Sequence, residues 1–345
     1  MTSQKSSYAR TGVNIDAGQQ AVALMKAAVQ STYGPQVLSD TGSFGGLYDI
    51  SALKGLNQPV LVASTDGVGT KTRVAARMGQ WDTIGQDLVN HCINDILVQG
   101  ATPLFFLDYV ASSQLVPEQV ADIVRGMATA CKAAGCALLG GETAEMPGVY
   151  EAGEVDVVGT VVGVVDRSLL LDGSRIQHGD VVLALPATGL HTNGYSLARS
   201  ALARLDWNEV HPELNQSPGA AMLAVHRCYL RDIGTLREAQ IDIRGLAHIT
   251  GGGVIDNLPR ILPEGLGAVI QAGSWHIPPI FPLIQRLGEV DALEMYRVFN
   301  MGMGMLVVIP SDQVEHARSA LSGDCSVVGK IVDGGRQVRI EGLTD

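Results

Sequence analysis

Paired cysteines, basic surplus, aromatic residues and long apolar runs are all scarce in this chain, and each shortage closes off a class of protein. Cys92, Cys131, Cys136, Cys228 and Cys325 form an odd set without metal-type spacing, so reduced thiols and a cytoplasmic compartment are expected. Lysine and arginine total 24 against 35 acidic residues, and the formal charge of −11 argues against a nucleic-acid partner. Local phosphate binding through magnesium, lysine and backbone amides remains open. The longest apolar stretch, Val155 to Val165, is broken by Asp156, Gly159 and Gly163. It falls far short of the roughly 20 residues a spanning helix needs, and reads as a strand with no membrane role. The opening residues Met1 to Ser7 lack an apolar core, so no secretory signal is expected.

What is present is glycine, 41 residues of it, beside 46% apolar content and 5% aromatics, the composition of an α/β protein with many tight turns. A chain of 345 residues suits two domains of roughly 150 to 180 residues. The composition change around Asp166-Arg167-Ser168 places their boundary there, giving 1–168 and 169–345.

The most loaded turn is Ser64-Thr65-Asp66-Gly67-Val68-Gly69-Thr70-Lys71, directly after the apolar run 59–63. Glycine lets the backbone present N–H groups to an anion, Lys71 adds a point charge, and Asp66 can ligate magnesium. Thr70 between Gly69 and Lys71, and the short gap between the glycines, exclude a Walker A loop. An ordinary glycine turn capped by Asp66 is the competing explanation.

Helical spacing of Ala21, Leu24, Met25 and Ala28 predicts a first helix from about Asp16 to Gln30. The segment Gly42-Ser43-Phe44-Gly45-Gly46 reads as a lid or a plain surface loop. A helix opened by Asp82 and running to about Gln99 turns Leu88, Val89, Cys92, Ile93, Ile96 and Leu97 to one face. Asp87, His91, Asn94 and Asp95 fall on the other side within about 80° of one another. That stripe lacks the lysine, arginine and glutamate of a solvated face, and suits a divalent cation. Strand 103–109 ends in Asp108, helix 117–134 follows, and 136–139 leads to the turn Gly140-Gly141-Glu142. Glu142 is either a further metal ligand or an acid at a helix N-terminus.

The second half restarts with strand 180–185 and the loop Pro186 to Ser196, which opens a helix. Thr250-Gly251-Gly252-Gly253 sits between a strand, 246–249, and a helix beginning near Val254, a geometry suited to a phosphate monoester or to tight packing. Strands near 267–271, 304–310, 325–333 and 336–341, with helices near 280–287 and 312–322, complete the domain.

In order, Tyr8-x-x-x-Gly12-Val13-x-Ile15-Asp16-Ala17-Gly18, Thr65 to Lys71, Gly100-Ala101-x-Pro103 to Tyr109, Gly140 to Gly148, His191-x-Asn193-Gly194-Tyr195-Ser196 and His248-x-Thr250 to Gly253 resemble the phosphoribosylformylglycinamidine cyclo-ligase family, or AIR synthetases. The resemblance spans essentially the whole chain. It implies a two-domain α/β (α+β) fold whose N-terminal sheet is completed across a homodimer and whose C-terminal domain is a mixed sheet with helices. It implies ATP and Mg²⁺, and formylglycinamidine ribonucleotide as substrate of a ring closure. Asp66, Asp95 and Glu142 would hold magnesium with Asn94 in support. Lys71, Gly67, Val68, Gly69 and Thr70 would meet the ATP phosphates, with Lys26, Gly45 and Gly46 also on the nucleotide. Thr250, Gly251, Gly252 and Gly253 would bind the substrate's phosphate, while His191 and Asn193 approach the reacting amide, His191 as acid/base, oxyanion donor or loop-ordering residue. The family's usual Ala-Gly-Val-Asp is Thr11-Gly12-Val13-Asn14 here, so no charged role carries over to Asn14. A superfamily kinase and a non-catalytic nucleotide-binding protein are the alternatives. The motifs of the second half speak against the first, and the retained acids against the second.

Overall fold

The computed structural model describes residues 14–343, so Tyr8, Gly12 and Val13 of the first motif lie outside the described residues. The chain clusters into two units: one reaching to Cys92 and resuming at Thr102–Asp166, the other made of Ile93–Ala101 and everything from Arg167 onward. A nine-residue segment of the first half of the chain thus belongs to the second unit.

In the first unit, Asn14 caps α1 (Ile15–Gln30), its side-chain oxygen accepting from the N–H groups of Asp16 and Ala17 at 3.2 and 3.4 Å. The amide does here what a cap requires, with no need of a carboxylate. β1 (Pro59–Gly67), α2 (Lys71–Met78), α3 (Asp82–Leu97), β2 (Thr102–Ser112), α4 (Pro117–Ala133), β3 (Ala137–Glu145) and β4 (Val155–Asp166) follow. The four strands form one sheet in the order β1-β4-β2-β3, antiparallel except for β2 beside β3. Alternation along the strands turns Val62, Phe106, Val157 and Val161 into a core under α3 and α4. The helices meet backbone to backbone. A Cβ on Gly85 would sit 1.9 Å from the Ile123 carbonyl oxygen, and one on Gly126 would sit 2.0 Å from that of Asp82.

The opposite sheet face is open: Leu61 is 65% and Leu107 is 37% exposed, and Thr65 and Thr160 pair their hydroxyls across it at 2.7 Å. The predicted turn at Gly140-Gly141 is continuous strand instead. β3 pairs with β2 as far as Glu145, and Gly141 is needed because a Cβ there would lie 2.2 Å from the Asp108 carboxylate.

The second unit holds β5 (Val181–Pro186), α5 (Tyr195–Ala201), α6 (Pro218–Met222), α7 (Leu230–Glu238), β6 (Gly245–His248), α8 (Gly253–Asn257), β7 (Leu266–Gln271), α9 (Ile280–Gly288), α10 (Ala292–Val298), β8 (Met303–Ile309), α11 (Val314–Ala320), β9 (Ser326–Asp333) and β10 (Val338–Glu341). Its six-stranded mixed sheet runs β10-β7-β9-β5-β8-β6. Leu183, Leu246, Met305 and Val307 form a core with Ile233 and Leu236 of α7, joined by Leu97 from the last turn of α3. No helix among the described residues is long and apolar enough to cross a membrane.

Candidate functional site

β1 carries Asp66 to its C-terminal end, where Oδ1 accepts from the Gly67 N–H at 2.7 Å and Oδ2 lies 2.7 Å from His91 Nε2. The carboxylate is still 46% exposed. An acid anchored in this way keeps hard oxygen ligands at the surface, the chemistry a magnesium ion requires. Across the sheet, Asp66 pairs with Gly159, Gly159 with Asp108 and Asp108 with Gly141, so the register sets both carboxylates on the same face, two strands apart. Asp108 is a residue that sequence reasoning does not single out for the site. Its signal is an acid closing an apolar strand. Burial pushes its carboxyl up to about 7.

Lys71 requires a correction. Its ammonium does not line the loop but turns inward, 2.7 Å from Asp87 Oδ2, and neither side chain has any exposure. An interior lysine needs a counter-charge, and α3 supplies it from the polar stripe. Burial pulls the Lys71 ammonium below its usual range, against the opposing effect of Asp87. That stripe is not a solvated face either, since Asp87, His91 and Asn94 are all buried.

A cleft of about 610 Å³ opens between α1, the loop 39–46 and the ends of β2 and β3. Val22, Met25 and Leu138 belong to its apolar wall, while Asp40, Asp108 and Glu142 are the acids of its lining. Gly45 and Gly46 line it too. A Cβ on Gly46 would lie 2.5 Å from Leu139 Cγ, and Phe44 stands fully exposed beside them. Lys26 is exposed on α1 near the rim. There Asp40 is held below the ordinary carboxylate range by the Thr41 N–H, Gln30 and Lys26, in that order. Glu142 is exposed in β3, its Oε1 accepting from the Thr143 N–H at 2.9 Å. Gly69 and Thr70 border a separate concavity of about 410 Å³, across which Arg73 pairs with Glu154. Val68 is buried beneath the loop, and Gly67 passes close to the Val157 carbonyl.

In the second unit, polar side chains converge in the interior. Asp95 Oδ1 lies 2.8 Å from His248 Nδ1, and His248 Nε2 lies 3.0 Å from His226 Nε2. His226 stacks on His191 with centroids 3.9 Å apart and planes 19° from parallel. His191 holds φ +60, a left-handed conformation costly for a side chain of this kind, and its Nε2 accepts from the Thr188 N–H at 3.3 Å. Gly304 makes room for this arrangement, since a Cβ would meet the Tyr229 hydroxyl at 1.7 Å and His191 Cε1 at 2.9 Å. Asn94 is buried here, its amide donating to the Arg227 carbonyl at 2.8 Å. His226 and His248 join the site although sequence reasoning assigns them no role.

The loop Thr250–Gly253 is shaped by buried Asn257, whose amide donates to the carbonyls of Thr250, Gly251 and Gly253 at 3.4, 3.1 and 2.8 Å. Those oxygens are thereby drawn inward. Gly252 has φ +95, and Asn193 lies over Gly251, 3.2 Å from where a Cβ would be. Asp256 stands beside Gly252 and faces Arg297 at 3.7 Å.

Residues 49–165 match the N-terminal domain of AIR synthase related proteins, and residues 177–341 match the C-terminal domain. The chain belongs to the AIR synthase family. Among its relatives in that family, the phosphoribosylformylglycinamidine cyclo-ligase of Desulfitobacterium hafniense (strain DSM 10664 / DCB-2) is 51% identical over 328 residues, 94% of this chain and 96% of that protein. The cyclo-ligase of Geobacillus kaustophilus (strain HTA426) is 51% identical over 305 residues, 88% of each. The AIR synthase fold extends to the hydrogenase maturation protein HypE, whose crystal structure in complex with ATP superimposes with a TM-score of 0.67 at 18% identity, covering 96% of this chain and 93% of that one.

Proposed function

We propose that the chain closes formylglycinamidine ribonucleotide to 5-aminoimidazole ribonucleotide, consuming ATP and releasing ADP and phosphate. The carrying observation is 51% identity along 94% of the chain to a cyclo-ligase of matching length. An amide oxygen leaves poorly, so it is first phosphorylated: the bond to the terminal phosphorus of ATP breaks and an O–P bond forms, giving an iminophosphate. The substrate's own nitrogen then attacks that carbon, phosphate departs with the oxygen, and the nitrogen sheds a proton. The protein's part is positioning and charge neutralisation.

The 610 Å³ cleft, with Gly45, Gly46 and nearby Lys26, is assigned to the nucleotide. Asp66 and Glu142 are exposed carboxylates of the kind that hold Mg²⁺, which when bound neutralises phosphate charge. Asp95, whose Oδ1 lies 2.8 Å from His248 Nδ1, is a carboxylate of the same kind. The Thr250–Gly253 loop is assigned to the ribonucleotide's phosphate, its carbonyls drawn away by Asn257. His191 and Asn193, on one loop, are assigned to the reacting amide. The open face bearing Leu61 and Leu107 supports a homodimer formed through the N-terminal sheet, and five free cysteines support a cytoplasmic setting. Incubation with ATP, Mg²⁺ and formylglycinamidine ribonucleotide should yield aminoimidazole ribonucleotide and ADP in equal amounts. ADP without aminoimidazole overturns the assignment.

A further inference from the structure

The three acids that line the cleft between α1 and the ends of β2 and β3 are not equivalent. Asp40 is taken up by its surroundings, Oδ1 accepting from the Thr41 N–H at 2.8 Å and from Gln30 Nε2 at 3.0 Å. Glu142 accepts from the Thr143 N–H and, paired with Tyr109 across the strands, faces the open side of the sheet. Asp108 lies on the helix side, in step with buried Phe106 two residues before it and buried Val110 two residues after. Among the described residues its carboxyl meets only its own backbone N–H. The chain also leaves room for it, because Gly141 carries no side chain and a Cβ there would lie 2.2 Å from Asp108 Oδ1. The helix-side wall of the cleft includes Val22 and Met25 of α1, Val124 of α4 and Leu138 of β3.

A half-buried carboxyl without a partner adds nothing to the fold that an apolar side chain would not, and its oxygens come into use when a donor enters the cleft. Apolar walls with one acceptor beside them suit a flat heterocycle whose edge carries an amino group. Ribose and phosphates, polar on every side, belong toward the exposed rim, where Lys26 and Glu142 stand. We propose that Asp108 reads the base of the nucleotide, a carboxyl oxygen accepting from the exocyclic amino group of adenine while Val22, Met25, Val124 and Leu138 pack against the ring. The contact needs an oxygen and not a particular charge, since ionised and protonated carboxyls both offer one. It rests on the assignment of this cleft to ATP.

The test is calorimetric titration of the full-length protein with ATP and with purine riboside triphosphate, which keeps the ring but lacks the amino group, both in excess Mg²⁺ and without the ribonucleotide. The unsubstituted protein should bind ATP on the order of 10- to 100-fold tighter, the range expected when a hydrogen bond to a buried polar group is lost. Asp108→Leu, close in volume but without an oxygen, should bring ATP down to the affinity of the analogue and leave the analogue no weaker than before. Asp108→Asn keeps an acceptor and should hold ATP nearly as well as the unsubstituted protein. Equal affinity of the unsubstituted protein for the two nucleotides overturns the proposal whether or not the variants fold. So does full ATP affinity in a folded leucine variant, or a preference for GTP, whose ring N–H would then be what the carboxyl meets. If 2′-deoxy-ATP rather than the purine analogue shows the Asp108-dependent loss, the carboxyl serves the ribose and the base assignment falls. An unsubstituted protein that binds none of these nucleotides overturns the reading of the cleft and the base contact with it, a result distinct from equal binding of all.

Discussion

Replacing Lys71 with methionine separates two readings of the residue that follows the glycine loop. Sequence chemistry sends its ammonium to the ATP phosphates, whereas the structure seals it against Asp87 at 2.7 Å with no exposure on either side. At that distance, and with an effective dielectric of about 20, the attraction is about 6 kcal/mol, most of it offset by the desolvation of both ions. Lys71→Met removes the attraction but leaves Asp87 buried, so a loss of about 3–5 kcal/mol is expected. For a unit of this size that corresponds to a fall in melting temperature of about 6–20 °C. The double variant Lys71→Met/Asp87→Leu removes both charges and should recover most of the loss, because well-packed apolar replacements of a buried pair are often neutral. Calorimetric melting of the three proteins, with ATP titration below the transition, decides the matter. If Lys71→Met melts normally but loses ATP affinity, the inward geometry is not what the lysine serves, and the phosphate reading stands.

Asp108→Asn tests the carboxyl that burial raises from 3.8 to about 7. A raised acid pKa means that the native state keeps its proton to higher pH than the unfolded chain, so stability falls as pH climbs from about 4 to about 7 and then levels off. The asparagine variant should lose that slope and gain up to about 4 kcal/mol at pH 8, seen in urea unfolding, with little difference at pH 4; equal slopes in both proteins would show the carboxyl to be unperturbed. Gly252→Val forces a β-branched residue into φ +95 with its Cβ 2.7 Å from that of Asp256, and should weaken ribonucleotide binding far more than ATP binding in paired titrations. The reverse pattern would mean that the two phosphate sites are exchanged. Leu61→Lys places a charge on the open sheet face and should turn a sedimenting dimer into monomer, an expectation that fails if the unsubstituted protein is already an active monomer at micromolar concentration.

Legibility in the sequence followed locality. β1, β2 and β4 announce themselves as apolar runs, and α1 by its spacing, because those signals lie within one element. β3 was harder, since Gly140-Gly141 imitates a turn and only the neighbouring Asp108 explains why glycine is needed in a strand. α2 opens with Lys71-Thr72-Arg73, and its buried face depends on a partner sixteen positions on, which no window of local pattern reveals. The glycine loops and acids stand out in the sequence by residue type alone. The histidine cluster does not, for His226 is a lone imidazole in an apolar run until 94, 191 and 248 are brought to it.

The backbone contact between α3 and α4 restricts how this sequence can vary. Gly85 and Gly126 each face a carbonyl at about 2 Å from where any side chain would begin, so no other residue fits at either position while the crossing is kept. Changing both together does not help, because each carbon meets backbone and not the other side chain. The route to a different residue passes through a wider separation of the helices, and α3 is the helix that bears Asp87, His91, Asn94 and Asp95. Two hydrogen atoms therefore tie the spelling of an interior helix contact to the placement of four polar groups, and drift at the first would be read out as lost chemistry at the second.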